Sequence, residues 1–254
     1  MTTIEKHHFS NAHGEQLSAR LDMPDNPPHA YALLVHCFTC NKSLRAAAYI
    51  TKALIAQDVA VFRFDFTGLG DSEGDFSDTN FTSNVQDIIS AAGFMREQSY
   101  APDILIGHSL GGTAVLKAAG LIESVKAVVT IASPSSPAHV AAQFSDAQAR
   151  ILEHGSATVA LAGRDFIIKQ QFLDDLQKTS VLNDVENLNK PLLVLHAPRD
   201  KTVGVEHASI IFKAAQHPKS YISLDDSDHL LSQTADASYV GKIIAVWVSR
   251  YLDD

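Results

Sequence analysis

The sequence predicts an α/β fold: a doubly wound, mostly parallel sheet with a small α/β lid inserted late in its strand order. Three observations lead there. Short, mostly apolar runs such as "YALLVHCF", "VAVFRFDF", "DILIG" and "VKAVVTIA" are too compact for helices and typical of buried strands. Segments rich in Ala, Leu and Ile at helical spacing separate these runs, as parallel crossovers require. The alternation stalls once, between Ser133 and Lys190, and then resumes.

Taken in order, two extended stretches, Ile4–Phe9 and Gln16–Asp22, flank the turn formers "SNAHGE" and predict a hairpin. "NPPHA" breaks the chain before the strand "YALLVHCF". Leu44–Asp58 is then helical, "VAVFRFDF" a strand, Asn80–Gln98 a helix, "DILIG" a strand, Leu110–Leu121 a helix and "VKAVVTIA" a strand. In the inserted stretch "SPSSPAH" reads as a loop, Ala138–His154 as a helix, "SATVALAGRDFIIKQQF" as a hairpin turning at "AGRD", and Phe172–Leu188 as a helix. "PLLVLHA", a helix near Glu206–Ala215, the strand "KSYISL" and a closing helix from Ala235 to Tyr251 complete the order. The expected organisation is a core of residues 1–132 and 191–254 interrupted by a lid at 133–190.

Composition limits the partners. Of the 254 residues 46% are hydrophobic and 19% charged, enough apolar material for a substantial core. A net charge of −9 without any basic run argues against a nucleic-acid surface. No apolar stretch approaches a membrane span, and "MTTIEKHHFSNAHGEQL" lacks the features of a signal peptide, so a cytoplasmic protein is expected. Oligomeric state is left open. Cys37 and Cys40 form an isolated C-x-x-C pair with no second pair to complete a zinc site, and the expectation is two thiols lining a loop.

The chemistry centres on Gly107-His108-Ser109-Leu110-Gly111, a G-x-S-x-G motif between a strand and a helix. A turn that sharp needs small flanking residues, supplied by Gly107 and Gly111, with Gly112 behind them. It lifts the Ser109 hydroxyl above the sheet edge at a helix N-terminus, where free N–H groups stabilise a developing anion. His108 is the tempting base, but adjacent side chains on such a turn diverge. Catalytic groups of an open α/β sheet collect at the carboxyl ends of strands. Asp200 follows "PLLVLHA" and His229 follows "KSYISL", which gives the chain order Ser109, Asp200, His229 expected for this elbow. Asp225, Asp226 and Asp228 are rivals to Asp200, but they share one loop with His229, where orienting its ring would need an awkward turn. His196 ends the strand before Asp200 and is expected to pack in the core, with lining the site the alternative. The oxyanion hole is expected from the Leu110 amide and, in the loop "HCFTCNKS", the Phe38 amide.

With the elbow, "HCFTC", "RFDFTGLGDSEGDF", "DSDHLL" and the acid in place, the chain resembles the α/β-hydrolase fold superfamily of serine hydrolases over essentially its whole length. More narrowly, it is similar to the hydrolase portion of proteins in which such a domain is fused to an OsmC-like peroxide-reducing domain. With the chain ending at Asp254, no such partner domain is expected. The position of the insertion resembles the small lid of cinnamoyl-type esterases. Asp65, Gly68, Gly70 and Ser72 match a loop common in the superfamily, read as structural because no helix-opening G-x-G-x-x-G is formed.

The expected function is a serine carboxylesterase acting on small-molecule esters, short-chain or small aryl, through an acyl-enzyme and without metal or organic cofactor. Val159, Leu161, Phe166, Ile168 and Phe172 give the lid an apolar face that serves either an acyl pocket or the lid's own core. Thioester or amide hydrolysis, acyl transfer, and a non-catalytic small-molecule binder of the same fold are the alternatives. A haloalkane dehalogenase is disfavoured because position 109 is serine rather than a carboxylate.

Overall fold

The computed structural model describes residues 3–161 and 163–252. Its main sheet has eight strands in the order β1-β2-β4-β3-β5-β6-β9-β10. These are β1 (Thr3–Ser10), β2 (Gln16–Met23), β3 (Ala30–Val35), β4 (Val59–Phe64), β5 (Ile104–His108), β6 (Ala127–Ile131), β9 (Leu192–His196) and β10 (Lys219–Ser223). The β1–β2 hairpin and the β2–β4 pair are antiparallel, and every later pairing is parallel. The doubly wound, mostly parallel sheet read from the sequence is therefore the observed one.

Every residue of β4, β5, β6 and β9 is buried, which is why these strands are mostly apolar and why the buried Arg63 of β4 is paired with Asp22. Alternate side chains serve opposite faces. Ile104 and Ile106 join α1 (Arg45–Ile55) and α8 (Thr234–Ser249) in one hydrophobic layer. Leu105 joins α2 (Phe81–Glu97), α3 (Leu110–Ala118) and α7 (Glu206–Ala214) in the other. The antiparallel edge strand β1 is mostly exposed and carries Glu5 and Lys6, charges that discourage edge-to-edge pairing.

Between β6 and β9 the chain leaves the main sheet. It forms a 3-10 segment (Pro137–Phe144), α4 (Ser145–His154), the antiparallel pair β7 (Ser156–Leu161) and β8 (Arg164–Lys169), α5 (Gln170–Lys178) and α6 (Leu182–Glu186). Ala162, within the expected "AGRD" turn, lies outside the described residues. Two of the helices expected here are broken. Pro137 opens a 3-10 run where one continuous helix from Ala138 was expected, and Thr179 is extended between α5 and α6. The run "TSV" at 179–181 supplies residues that compete poorly for helix, which accounts for the second break. α3 likewise ends at Ala118 and tightens into a 3-10 turn over Ala119–Leu121.

Val159, Leu161, Phe166, Ile168 and Phe172 are all buried, and Phe166 and Phe172 pack on Phe76 of the core. Polar ties hold the segment down at several points: Gln171 donates to the Thr79 carbonyl at 2.8 Å, Asn80 donates to Gln171 at 2.8 Å, and Thr82 binds the Asp175 carboxylate. No helix among the described residues is long and apolar enough to cross a membrane.

Candidate active site

Four strands deliver a histidine or serine to one edge of the sheet. β3 is followed by His36, β5 ends at His108 before Ser109, β9 ends at His196 four residues before Asp200, and the loop after β10 carries His229. All are carboxyl ends of neighbouring parallel strands, so sheet order alone brings them together.

Ser109 sits at φ 55°, ψ −128°, a conformation that costs a non-glycine residue roughly 1–3 kcal/mol. The turn is possible because its flanks are bare. A Cβ on Gly107 would come within 2.5 Å of the Gly111 carbonyl oxygen, and one on Gly111 would run into the His36 carbonyl. The reward is position: Ser109 Oγ lies 3.0 Å from His229 Nε2, and His229 Nδ1 lies 2.7 Å from Asp200 Oδ2. A carboxylate only accepts, so Nδ1 carries the proton and Nε2 is left to accept from Ser109. Asp200 Oδ1 in turn accepts from the amides of Thr202 at 2.8 Å and Val203 at 2.9 Å. Burial pushes Asp200 up, but the hydrogen bond from His229 and the two amides outweigh it and hold the carboxyl below its ordinary value.

Asp225, Asp226 and Asp228 do not reach His229. Asp226 pairs with Arg199, Asp225 accepts from Ser223, and Asp228 accepts from the Ser232 amide. His196 is fully buried, donates from Nε2 to the Val203 carbonyl at 2.8 Å, and braces the loop that holds Asp200. Leu110 follows the serine at the start of α3, Phe38 lines the same small cavity as Leu110, and among the described residues neither amide donates to another group of the protein. Asp65 works structurally: its carboxylate binds Lys42, and Ser72 Oγ donates to its carbonyl at 2.6 Å. Among the described residues no group of three or more His, Cys, Asp or Glu side chains converges as a metal centre.

The structure corrects one expectation. Cys37 and Cys40 are not two thiols but a disulfide. The Cys40 amide donates to the Cys37 carbonyl at 3.1 Å, closing a tight turn that sets the two Cα atoms 5.3 Å apart, within bonding range. That turn contains Phe38 and Thr39, with Thr39 at φ 61° and its carbonyl accepting from Arg164 of β8. C-x-x-C spacing permits either redox form, and it is the loop geometry that brings the sulfurs together.

Two arrangements had no sequence signal. The His108 ring is not hydrogen-bonded to Ser109 Oγ; its Nε2 meets the His229 carbonyl at 2.7 Å. His139 and His207, 68 positions apart, meet at 3.1 Å, and His139 Nε2 donates to the Thr202 carbonyl beside Asp200. Contacts of this kind depend on where loops fold back.

The buried histidines predict a pH response. Burial, and next to it His229, lowers His108 from 6.5 to about 4, against the opposing pull of the hydrogen bond to the His229 carbonyl and the Asp200 charge. His36 and His196 are lowered mainly by burial as well. Unfolded, each ring takes up a proton near pH 6.5, whereas folded His108 does so only near 4. Through these three rings the native state binds fewer protons in that window and loses stability as the pH falls through it; Asp87, raised by burial to about 6, pulls the other way but is one group against three. For His108 alone the loss amounts to about 3 kcal/mol. Urea unfolding at a series of pH values should show a midpoint that drops between pH 6.5 and 4; a midpoint unchanged across that range would contradict the burial of these rings in neutral form.

A profile of the alpha/beta hydrolase family matches residues 32–240, a span that includes Ser109, Asp200 and His229. The chain belongs to the alpha/beta hydrolase family. Among solved structures, the esterase domain of a Rhodothermus marinus protein is 45% identical to it, with a TM-score of 0.80 over 99% of this chain and 100% of that one. Est1E from Butyrivibrio proteoclasticus, solved with ferulic acid bound, shares the fold at 22% identity and a TM-score of 0.81, over 96% of this chain and 98% of its own. Curated relatives are more distant. The uncharacterized protein YfhR of Escherichia coli (strain K12) is 22% identical over 204 residues, 80% of this chain and 64% of that protein. Palmitoyl-protein thioesterase ABHD10, mitochondrial, from Rattus norvegicus is 25% identical over 185 residues, 70% of this chain and 61% of that protein. The matches thus span under two thirds of the length of these curated relatives.

Proposed function

We propose that this alpha/beta hydrolase cleaves carboxylic esters of small molecules through an acyl-enzyme on Ser109. The observation that carries the reading is the unbroken chain from Ser109 Oγ to His229 Nε2 at 3.0 Å and from His229 Nδ1 to Asp200 at 2.7 Å. His229 takes the hydroxyl proton as Ser109 Oγ attacks the ester carbonyl, and a C–O bond forms. The Phe38 and Leu110 amides receive the oxyanion. As the tetrahedral intermediate collapses, His229 hands the proton to the departing alcohol. Water then attacks the acyl-serine with His229 again as base, which releases the acid and restores the serine. Asp200 keeps the imidazole in the working tautomer and stabilises its charged form.

Residues 133–190 form the lid in this reading. The Phe38 ring lies 5.7 Å from Phe76 and 5.4 Å from Phe172, so the oxyanion loop and the lid share one aromatic wall. An apolar acyl or aryl group of modest size suits that wall, which favours short-chain or small aryl esters. The thioesterase relative favours a second reading on the same residues, hydrolysis of thioesters. Matched p-nitrophenyl esters, thioesters and anilides with one acyl group separate the readings: the ester should turn over fastest, with a burst of p-nitrophenol, and a thioester preferred tenfold or more would favour the second.

The disulfide carries its own prediction. Because it closes the turn that contains Phe38, replacing both cysteines by serine frees one oxyanion donor while leaving Ser109, His229 and Asp200 in place. The double variant Cys37→Ser/Cys40→Ser is expected to lose roughly tenfold in kcat with KM nearly unchanged, a part of what loss of one oxyanion donor costs. Steady-state kinetics on a p-nitrophenyl ester would check this, and wild-type kcat would separate the disulfide from the oxyanion loop.

A further inference from the structure

We infer that His108 is a positioning residue for His229: it fixes the general base by donating its Nε2–H to the His229 backbone carbonyl. The inference rests on the proposed role of His229 but on different observations. The bond is 2.7 Å long, and the acceptor is the carbonyl of the same residue whose ring faces Ser109.

The loop between β10 and α8 gives this bond its weight. The other main-chain hydrogen bonds of residues 225–232 are local: Ser227 donates to Leu224, Leu231 to Asp228, and Ser232 to the Asp228 carboxylate. Among the described residues, the His108 bond is the one that ties this main chain to a strand of the sheet. The loop's start is anchored by the Leu224 amide on the His196 carbonyl of β9 and by Asp226 on Arg199, but at His229 itself the hydrogen bonds besides this one are those of its side chain to Ser109 and Asp200. Those bonds change character when the ring gains and loses its proton, whereas a bond to the carbonyl does not.

The chemistry requires a particular form of the ring. A carbonyl accepts only, so Nε2 must carry the hydrogen, and a neutral ring then leaves Nδ1 bare. His108 Nδ1 is indeed buried without a partner. The ring is 5% exposed beside Leu34, Ala47 and Leu231, surroundings that disfavour a charge. The His108 and His229 rings stand 5.3 Å apart, so a charged His108 would repel the imidazolium that forms during turnover. A neutral donor holds the base without opposing its charge.

Two measurements test this. In kinetics, His108→Leu removes the donor and is expected to lower kcat about 10- to 100-fold with KM within twofold, as a displaced base would. His108→Gln offers an amide N–H from a similar position and should recover kcat to within about threefold of wild type. Equal losses in the two variants, or wild-type kcat in His108→Leu, would overturn the inference. In the wild-type protein, which needs no variant to fold, nitrogen-15 NMR of the histidine rings should show His108 as the neutral Nε2–H tautomer at pH 7. An Nδ1–H tautomer or a charged ring there would overturn it even if the variants were unfolded. The NMR result stands apart from the catalytic proposal: activity surviving in Ser109→Ala would sink the proposed function and leave the His108 tautomer readable.

Discussion

Replacing Ser109 with alanine is expected to abolish the p-nitrophenol burst and lower kcat by four orders of magnitude or more, about the loss seen when a triad nucleophile is removed. The size follows from what the hydroxyl supplies. In the proposed mechanism it is the atom that forms the acyl bond, and its removal leaves only oxyanion and binding contributions, which supply a small part of the whole acceleration. The variant should fold at least as well as the wild type. Ser109 Oγ bonds only to His229 among the described residues, while the left-handed backbone is imposed by the Ser109 amide donating to Ile131 at 2.8 Å and by the packing around Gly107 and Gly111. Thermal melting beside kinetics would establish that the loss is chemical.

The second large effect is expected from Asp200→Asn, with kcat lower by about 10⁴ and KM little changed. The reasoning is one of tautomers. Asparagine can keep Oδ1 as acceptor for the Thr202 and Val203 amides, so the loop stays folded. Its NH2 group then faces His229 Nδ1, a donor against a donor. The ring escapes by moving its proton to Nε2, and Nε2 can no longer accept from Ser109. A pH–rate profile that stays low at every pH would match this account. Recovery of wild-type kcat at high pH would indicate that the carboxylate acts only through its charge.

Much of this was legible before the structure because it followed from local rules. Gly107, Ser109, Gly111 and the apolar strand before them define the elbow by sterics alone. Asp200 and His229 could be chosen because parallel strands place their carboxyl ends side by side, and the structure brings His229 to Ser109 and Asp200 to His229. What stayed hidden depended on how loops close. The Cys37–Cys40 bond needed the tight turn that the Cys40 amide makes with the Cys37 carbonyl. The use of His108 needed the return of a loop 121 positions later. The change from 3-10 to α-helix at Phe144 and the break at Thr179 came from weak local preferences that packing decided.

The central claim is that Ser109 is the nucleophile, and the most direct measurement is the intact mass of the protein after treatment with a fluorophosphonate. One adduct per chain, mapped by peptide mass spectrometry to Ser109, absent from Ser109→Ala and formed far more slowly in Asp200→Asn, is the predicted result. A stoichiometric adduct on any other residue, or undiminished labelling of the Ser109→Ala protein, would contradict it.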